Sequence, residues 1–352
     1  MQPANPANPA NPANPANRTD PTGPTDPTDP TDPAPGPRLA EPPAGPATDL
    51  SLSRIARARS VIPACFLDTP QYEDELLNTA LGRRVTVKLE TGNPIRSFKG
   101  RGVALALADL PAGSTVVCAS SGNFGQAVAY LGRDLGLTVV VYAPAPLNPS
   151  KCARMVAFGA EVIEVAGPDA HPAAAAAAAA SGAALLVDGV PPAIAEGAGT
   201  IAEELARAGR FDAVVVPVGD GSLITGVAAW LRAHAPDTRI VGVNPAAAPT
   251  MFRALAAGEP VTTTPASAFA EGITVTRARP ESLARVRALV DEIVLVTEAE
   301  LRSAMGLVAR HLSVLAEPAG AAGIAAIAAG KVAGDRLATL VTGANPNPGG
   351  PG

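Results

Sequence analysis

Short runs of β-branched residues alternate with longer alanine-rich segments from Ser51 onward, and this alternation restricts the possible folds more than any other feature. The runs are continuously apolar, as in strands that are covered on both faces, and the segments between them have helical composition. The predicted strands are Arg83–Glu90, Ser114–Ser120, Leu137–Ala143, Ala160–Val165, Ala184–Gly189, Phe211–Gly219, Arg239–Pro245, Glu292–Thr297 and Leu337–Gly343. The predicted helices lie near residues 98–109, 124–135, 150–159, 169–182, 195–208, 222–235, 281–290, 298–312 and 317–330.

Strands that are separated by helices favour parallel pairing, because parallel neighbours need a crossover connection that a helix can supply. The sequence therefore predicts an α/β protein with mainly parallel, twisted sheets and helices on both faces of each sheet. A chain of 352 residues is long enough for two such three-layer α/β/α domains, each with its own core.

Residues 1–50 differ in composition from the rest of the chain. They begin with five copies of Pro-Ala-Asn, from Pro3 to Asn17, and they contain 15 of the 37 prolines. Large apolar residues are nearly absent, so the segment cannot bury enough surface to offset the entropy lost on ordering. We expect a disordered, proline-rich tail that acts as a tether, and a docking role for the repeats stays open.

Charge and residue usage exclude several classes of function. The net charge is −5 and Lys and Arg form no long cluster, so neither nucleic acid nor an anionic membrane is an expected partner. With no signal peptide and no apolar stretch long enough to span a bilayer, we expect a soluble cytoplasmic protein. The spacing of cysteine and histidine predicts no metal site, and we expect structural or surface roles for the histidines. These residues are Cys65, Cys118, Cys152, His171, His234 and His311.

Two of the predicted strand-to-helix loops have the composition of anion sites. Ligands of parallel α/β folds bind in such loops, at the carboxyl ends of the strands. SSGNFGQ (Ser120–Gln126) and VGDGSLITG (Val218–Gly226) each open a predicted helix, whose first N–H groups and dipole attract anions. Alone, the first loop is equally typical of helix capping, and the second matches neither the P-loop nor the dinucleotide fingerprint.

Lys99 stands at the start of another helix that follows a strand, within KLETGNPIRSFKGRG (Lys88–Gly102). Ser97 is expected to cap this helix. Gly100 is expected to leave room beside a ligand. A lysine amine whose pKa is lowered by burial or by nearby positive charge can form a Schiff base with a carbonyl compound.

A third loop, Val341–Gly350, adds Thr342 and Asn345 as possible hydrogen-bonding residues after the last predicted strand. A ligand that carries both an aldehyde and a phosphate would use Lys99 together with an anion cradle. Pyridoxal 5′-phosphate (PLP) fits this description.

Taken together, the motifs resemble those of the fold-type II PLP-dependent enzymes of the tryptophan synthase β superfamily. This family includes threonine and serine dehydratases, serine racemase, threonine synthase and cysteine synthase. The resemblance covers about residues 55–345, and its motifs are SFKGRG (97–102), SSGNFGQAVAY (120–130), PVGDGSLITG (217–226), AEPAGAAGIAAI (316–327) and VTGAN (341–345). It implies a large PLP-binding domain at 51–111 and 190–346, a small domain at 112–189, and a homodimer.

The resemblance also implies a role for each matching residue. Lys99 would hold PLP as a Schiff base and then take the α-proton of the substrate, with Phe98 near the ring. Ser121 matches the second acid/base of the racemase, and Thr342 would face the pyridine nitrogen. The ring's 3′ oxygen would be bound by Asn123. The substrate carboxylate would be received by Ser120, Ser121, Gly122 and Asn123. The cofactor phosphate would be held by Gly219, Asp220, Gly221, Ser222 and Leu223.

A hydroxyl such as that of Thr342 does not stabilise a protonated pyridinium, so a carbanion at Cα is steered toward losing a β substituent. The resemblance therefore implies β-elimination, with the cofactor phosphate assisting the leaving hydroxyl. A β-hydroxy amino acid such as L-threonine or L-serine would give a 2-oxo acid and ammonia through an aminoacrylate. A β-replacement or threonine-synthase-like reaction is the alternative, and a non-catalytic relative is a third.

The sequence departs from the dehydratase pattern at three positions. Phe124 replaces the usual histidine, and this residue and the VGDGS loop both lean toward threonine synthase. Asp220 places a carboxylate in the phosphate loop, so we expect its side chain to point away unless the loop itself differs. Asn244 stands where many members have Glu, so no racemase-type metal site is expected.

Overall fold

The computed structural model describes residues 48–346. Their strands are β1 (Gln71–Glu73), β2 (Arg84–Leu89), β3 (Thr115–Ala119), β4 (Thr138–Pro144), β5 (Glu161–Val165), β6 (Ala184–Leu186), β7 (Ala213–Pro217), β8 (Arg239–Pro245), β9 (Glu292–Val296) and β10 (Arg336–Val341). Their helices are α1 (Leu52–Ala58), α2 (Glu75–Leu81), α3 (Lys99–Leu107), α4 (Asn123–Asp134), α5 (Pro149–Ala157), α6 (His171–Ser181), α7 (Pro192–Leu205), α8 (Ser222–His234), α9 (Thr250–Ala257), α10 (Pro280–Leu289), α11 (Glu298–Leu312) and α12 (Pro318–Ala328).

The strands form two sheets. One has the order β1-β2-β10-β7-β8-β9, and the other has the order β5-β4-β3-β6. Every pairing is parallel except that of β1 with β2, as the alternation of strands and helices predicted. The α/β fold class is therefore confirmed.

The larger sheet is buried on both faces. β7 lies inside it and every residue of that strand is buried. α12 covers one face with alanine, glycine and isoleucine, while α7 and α8 contribute to the core on the other face. A Cβ on Gly226 of α8 would lie 1.9 Å from the carbonyl oxygen of Ala195 in α7, so glycine is required for the close approach of these two helices.

A charged cluster is fully enclosed between α3, β2 and α7. The guanidinium of Arg101 donates to Glu90 at 2.8 and 2.9 Å and to Glu204 at 2.7 and 2.9 Å. Thr200 accepts another of its hydrogen bonds, and Lys88 pairs with Glu204 at 2.7 Å. Burial acts to raise the pKa of Glu204, but the contacts with Arg101 and Lys88 lower it to about 2. The cluster therefore anchors the helix that begins at Lys99.

The nine predicted strands and nine predicted helices are present, and their ends differ from the predictions by up to three residues. The sequence analysis missed β1, α1, α2 and α9. β1 is only three residues long and pairs antiparallel to β2, so it has neither the length nor the continuous apolar run of the other strands. Short elements of this kind depend on tertiary contacts.

Most of the predicted tail, residues 1–47, lies outside the described residues. Asp49, which the sequence placed in the tail, forms an ion pair with Arg285 of α10. The proposed division into a small domain at 112–189 and a large domain stays a prediction, although β3 to β6 form one sheet inside those bounds. Among the helices of residues 48–346, none has both the length and the apolar character needed to cross a membrane.

Candidate active site

A cavity of about 440 Å³ lies where strands of both sheets end. Residues at or just after the carboxyl ends of β3, β4, β7 and β10 line it, as expected for a parallel α/β protein. All of the residues to which the family resemblance assigned a role line this one cavity: Phe98, Lys99, Ser120, Ser121, Gly122, Asn123, Gly219, Asp220, Gly221, Ser222, Leu223 and Thr342. The structure brings the residues together, and the individual roles stay predictions.

Lys99 is the first residue of α3, and its amine lies inside the cavity at 14% side-chain exposure. The ammonium forms a close ion pair with Asp188 and lies 5.0 Å from the ring centre of Phe98 and 5.7 Å from that of Phe124. The other oxygen of Asp188 is buried without a hydrogen-bond partner among residues 48–346. Asp188 follows β6, which is three residues shorter than the predicted strand Ala184–Gly189, and a carboxylate near the end of that predicted strand was the signal that the sequence analysis overlooked.

Two of the predictions about this helix were wrong. Phe98 is the N-cap residue, and no side chain caps α3; the hydroxyl of Ser97 is buried and has no partner in the described part of the chain. Gly100 does not make room for a ligand, because a Cβ at this position would lie 2.4 Å from the ring of Phe66. Its role is to let α3 pack against that ring. Ser97 instead forms an isolated β-bridge with Gly343, which joins the lysine segment to the Thr342 loop.

The loop before α4 is already engaged with carboxylates. Ser121 donates a hydrogen bond to Glu271 at 3.0 Å, and the side-chain amide of Asn123 donates to Glu317 at 2.7 Å. Ser120 has a different role, because its hydroxyl accepts hydrogen bonds from the backbone N–H groups of Gly122 and of Gly125 in the first turn of α4. The loop is therefore built to bind carboxylate oxygens, which supports its predicted use for a substrate carboxylate.

Glu271, Glu317 and Lys151 were not identified from the sequence. Lys151 of α5 forms an ion pair with Glu271 at 2.5 Å. Burial raises the pKa of Glu317 to about 7, even though Asn345 and Asn123 donate hydrogen bonds to it. Both glutamates come from segments far from α4 in sequence, and although Glu317 lies in the motif 316–327, neither contact could be predicted from the sequence pattern.

The phosphate loop has the geometry of an anion cradle. Gly221 has φ +97° immediately before α8, a backbone conformation that glycine adopts without strain. Ser222 is 3% exposed, and its hydroxyl oxygen is buried with no hydrogen-bond partner among residues 48–346. A buried hydroxyl and the first N–H groups of α8 fit a phosphate group. The residues of this loop therefore fit the phosphate of PLP.

Asp220 lines the cavity, and burial together with the charge of Asp188 raises its pKa, while Lys99 acts in the opposite direction. The expected direction of its side chain stays a prediction. His171 also lines the cavity, although the sequence analysis assigned it a structural or surface role. Asn244 is fully buried, and its amide group bridges the carbonyl of Val218 and the N–H of Phe252.

Residues 65–343 match the family described as pyridoxal-phosphate dependent enzyme, and the chain belongs to this family. Its cofactor is PLP, as predicted. The chain is 35% identical over 322 residues to L-threonine dehydratase biosynthetic IlvA of Mycobacterium tuberculosis, with 86% of this chain and 74% of that protein covered. It is 31% identical over 304 residues to phenylserine dehydratase of Ralstonia pickettii, with 84% and 93% covered.

Solved structures agree with these relatives. The structure of the T.th. threonine deaminase has a TM-score of 0.79 and 32% identity, and the match covers 84% of this chain and 98% of that one. Threonine deaminase isoform 2 of Solanum lycopersicum has a TM-score of 0.79 and 27% identity, with 89% and 95% covered. The predicted fold-type II resemblance is thus confirmed.

Proposed function

We propose that this protein is a PLP-dependent ammonia-lyase that converts a β-hydroxy amino acid, such as L-threonine or L-serine, into a 2-oxo acid and ammonia. One observation carries the proposal. The amine of Lys99 shares a cavity with a loop that binds carboxylates and with a loop that fits a phosphate. The dehydratase relatives support the same reaction class.

PLP, when bound, supplies an electron-accepting ring that stabilises negative charge on the substrate Cα. The amine of Lys99 is the proposed base that takes the α-proton at its Nζ atom. Asp188 contacts that amine and orients it within the cavity. The rings of Phe98 and Phe124 lie within about 6 Å of the amine and exclude water from one side of it.

The carboxylate of the substrate would bind at the start of α4. Ser121 and Asn123 donate to Glu271 and Glu317 in this structure, so the substrate would take over hydrogen bonds that these protein carboxylates accept. Glu271 and Glu317 therefore compete with the substrate carboxylate for these donors. Thr342 is buried and brings a hydroxyl rather than a carboxylate to the cavity, in keeping with elimination.

A β-replacement reaction of the threonine-synthase type is the second candidate. Phe124 and Asp220 favour it, because both depart from the dehydratase pattern and both line the cavity. It differs from the first candidate in requiring an added nucleophile for turnover.

The two candidates are separated by incubating the PLP-loaded enzyme with L-threonine, L-serine and phenylserine without any nucleophile. We expect 2-oxo acid and ammonia in equal amounts from at least one of them. Lys99→Ala should abolish both the product and the visible absorbance of lysine-bound PLP, whereas Lys331→Ala, a change far from the cavity at a lysine that pairs with Glu300, should retain both. Absence of 2-oxo acid until a nucleophile is added would reject the lyase assignment.

A homodimer and a cytoplasmic location are part of the proposal. The fold-type II family usually dimerises, and the cysteines of this chain are free thiols, which suits a reducing compartment. Light scattering after size-exclusion chromatography tests the dimer, and a single-chain mass would contradict it.

A further inference from the structure

The phosphate loop carries an acid in a place where a second negative charge is unfavourable. Asp220 stands between Gly219 and Gly221, in the turn that leads into α8, and it lines the cavity. A phosphate held at the first turn of α8 would lie close to this carboxyl group. Like charges repel strongly where water is partly excluded, and burial already raises the pKa of Asp220. A cation that faces the loop would let Asp220 keep its charge beside the phosphate.

Three cations around the cavity are not available for this purpose. Lys99 is paired with Asp188, and its amine is the group that reacts with the aldehyde of PLP. Lys151 is paired with Glu271. Arg277 lines the cavity, but it is an exposed residue and solvent screens its charge.

Arg279 is held beside the loop by the packing of α10. It is the N-cap residue of this helix, and Ser282 of the same helix donates a hydrogen bond of 2.8 Å to the carbonyl of Gly189, which follows the cavity-lining residue Asp188. A Cβ at Gly221 would lie 3.2 Å from the side chain of Val286, so α10 packs directly on the phosphate loop. Arg279 is thereby brought to the same side of the cavity as Asp220.

Arg279 is partly buried and lines the cavity, and its guanidinium makes no hydrogen bond or ion pair with any residue between 48 and 346. Its positive charge acts to lower the pKa of both Asp220 and His171. A partly buried guanidinium without a partner retains all of its donors for a ligand. Its planar set of N–H donors matches the oxygens of a phosphate.

We propose that Arg279 binds the phosphate group of PLP and offsets the negative charge that Asp220 brings to the phosphate loop. The N–H groups of the loop and the hydroxyl of Ser222 contact the phosphate from α8, and the guanidinium contacts it from α10. Arg279 therefore raises the affinity for the cofactor through its phosphate alone, and Asp220 lowers that affinity.

The test compares two ligands on the apoprotein, PLP and pyridoxal, which lacks the phosphate group. Both are titrated by visible absorbance against the wild type, Arg279→Gln, Arg279→Lys and the matched control Arg277→Gln. We expect Arg279→Gln to weaken PLP binding by about 10- to 100-fold, the range for losing a charge-assisted hydrogen bond, and to leave pyridoxal binding within about twofold. Arg279→Lys should be intermediate for PLP, and Arg277→Gln should bind both ligands as the wild type does.

Asp220→Asn provides the reciprocal result, because it should tighten PLP binding several-fold without changing pyridoxal binding. An equal loss of PLP and pyridoxal affinity in Arg279→Gln would show that Arg279 has a structural role, and this would overturn the proposal. Unchanged PLP affinity in Arg279→Gln would also overturn it. If circular dichroism shows that Arg279→Gln does not fold, the ratio of PLP affinity to pyridoxal affinity in Arg279→Lys is compared with that of the wild type. A lower ratio supports the proposal, and an unchanged ratio overturns it. No substrate is used, so the outcome is independent of the proposed elimination reaction.

Discussion

Replacing Arg101 by methionine should destabilise the protein strongly while preserving the volume of the side chain. Arg101 is fully buried and is the guanidinium that neutralises Glu90 and Glu204, whose side chains are 1% and 2% exposed. Without Arg101, Glu204 keeps its ion pair with Lys88, and Glu90 loses its ion pair with the guanidinium. Loss of one member of a buried ion cluster costs about 3–5 kcal/mol, a large part of the usual free energy of unfolding.

The measurement is the free energy of unfolding from urea titration, followed by circular dichroism at saturating PLP. The control is Arg84→Met, which removes the guanidinium of the surface pair with Glu73 and should leave the urea midpoint unchanged. The double variant Arg101→Met/Glu204→Gln should recover part of the stability, because one of the stranded charges is then absent. A loss below about 1 kcal/mol in Arg101→Met would refute the view that the cluster depends on this charge.

Three further outcomes are expected. The pKa of Glu204 is lowered from 4.5 to about 2 in the folded protein, so this group contributes about 3 kcal/mol of stability above pH 4.5, and that contribution is lost as the pH falls toward 2. Measuring the free energy of unfolding against pH for the wild type and Glu204→Gln tests this expectation, and parallel curves would contradict it. Gly226→Ala should lower the free energy of unfolding by about 1–3 kcal/mol or more, because its Cβ would lie 1.9 Å from a carbonyl oxygen of α7. The control Gly92→Ala, whose Cβ would have no atom within 4 Å, should leave the midpoint of thermal unfolding unchanged. Glu271→Gln should lower KM about fivefold with little change in kcat, because it removes a carboxylate that competes with the substrate for the hydroxyl of Ser121. An unchanged or raised KM in steady-state kinetics would argue against this competition.

The sequence by itself determined the layers of the fold and the location of the site. Apolar runs as continuous as Ala213–Pro217 form strands because only a doubly covered sheet buries both of their faces. Because parallel strands of one sheet end at the same edge, the residues that follow β2, β7 and β10 of the larger sheet, including Lys99, Gly219–Leu223 and Thr342, had to lie near one another. The loop at Ser120–Asn123 follows β3 of the other sheet, and the sequence placed it at the site through the family resemblance of its motif.

Only the tertiary structure decided the partners of these groups. Lys99 meets Asp188, Ser121 meets Glu271, and the partners in each pair are separated by 89 and 150 residues. The hydroxyl of Ser97 failed to cap α3 even though it stands in a capping position by sequence, because the chain there is drawn into a β-bridge with the Thr342 loop. Side-chain pairing depends on distances set by the packing of whole helices and sheets, and residue order alone does not contain those distances.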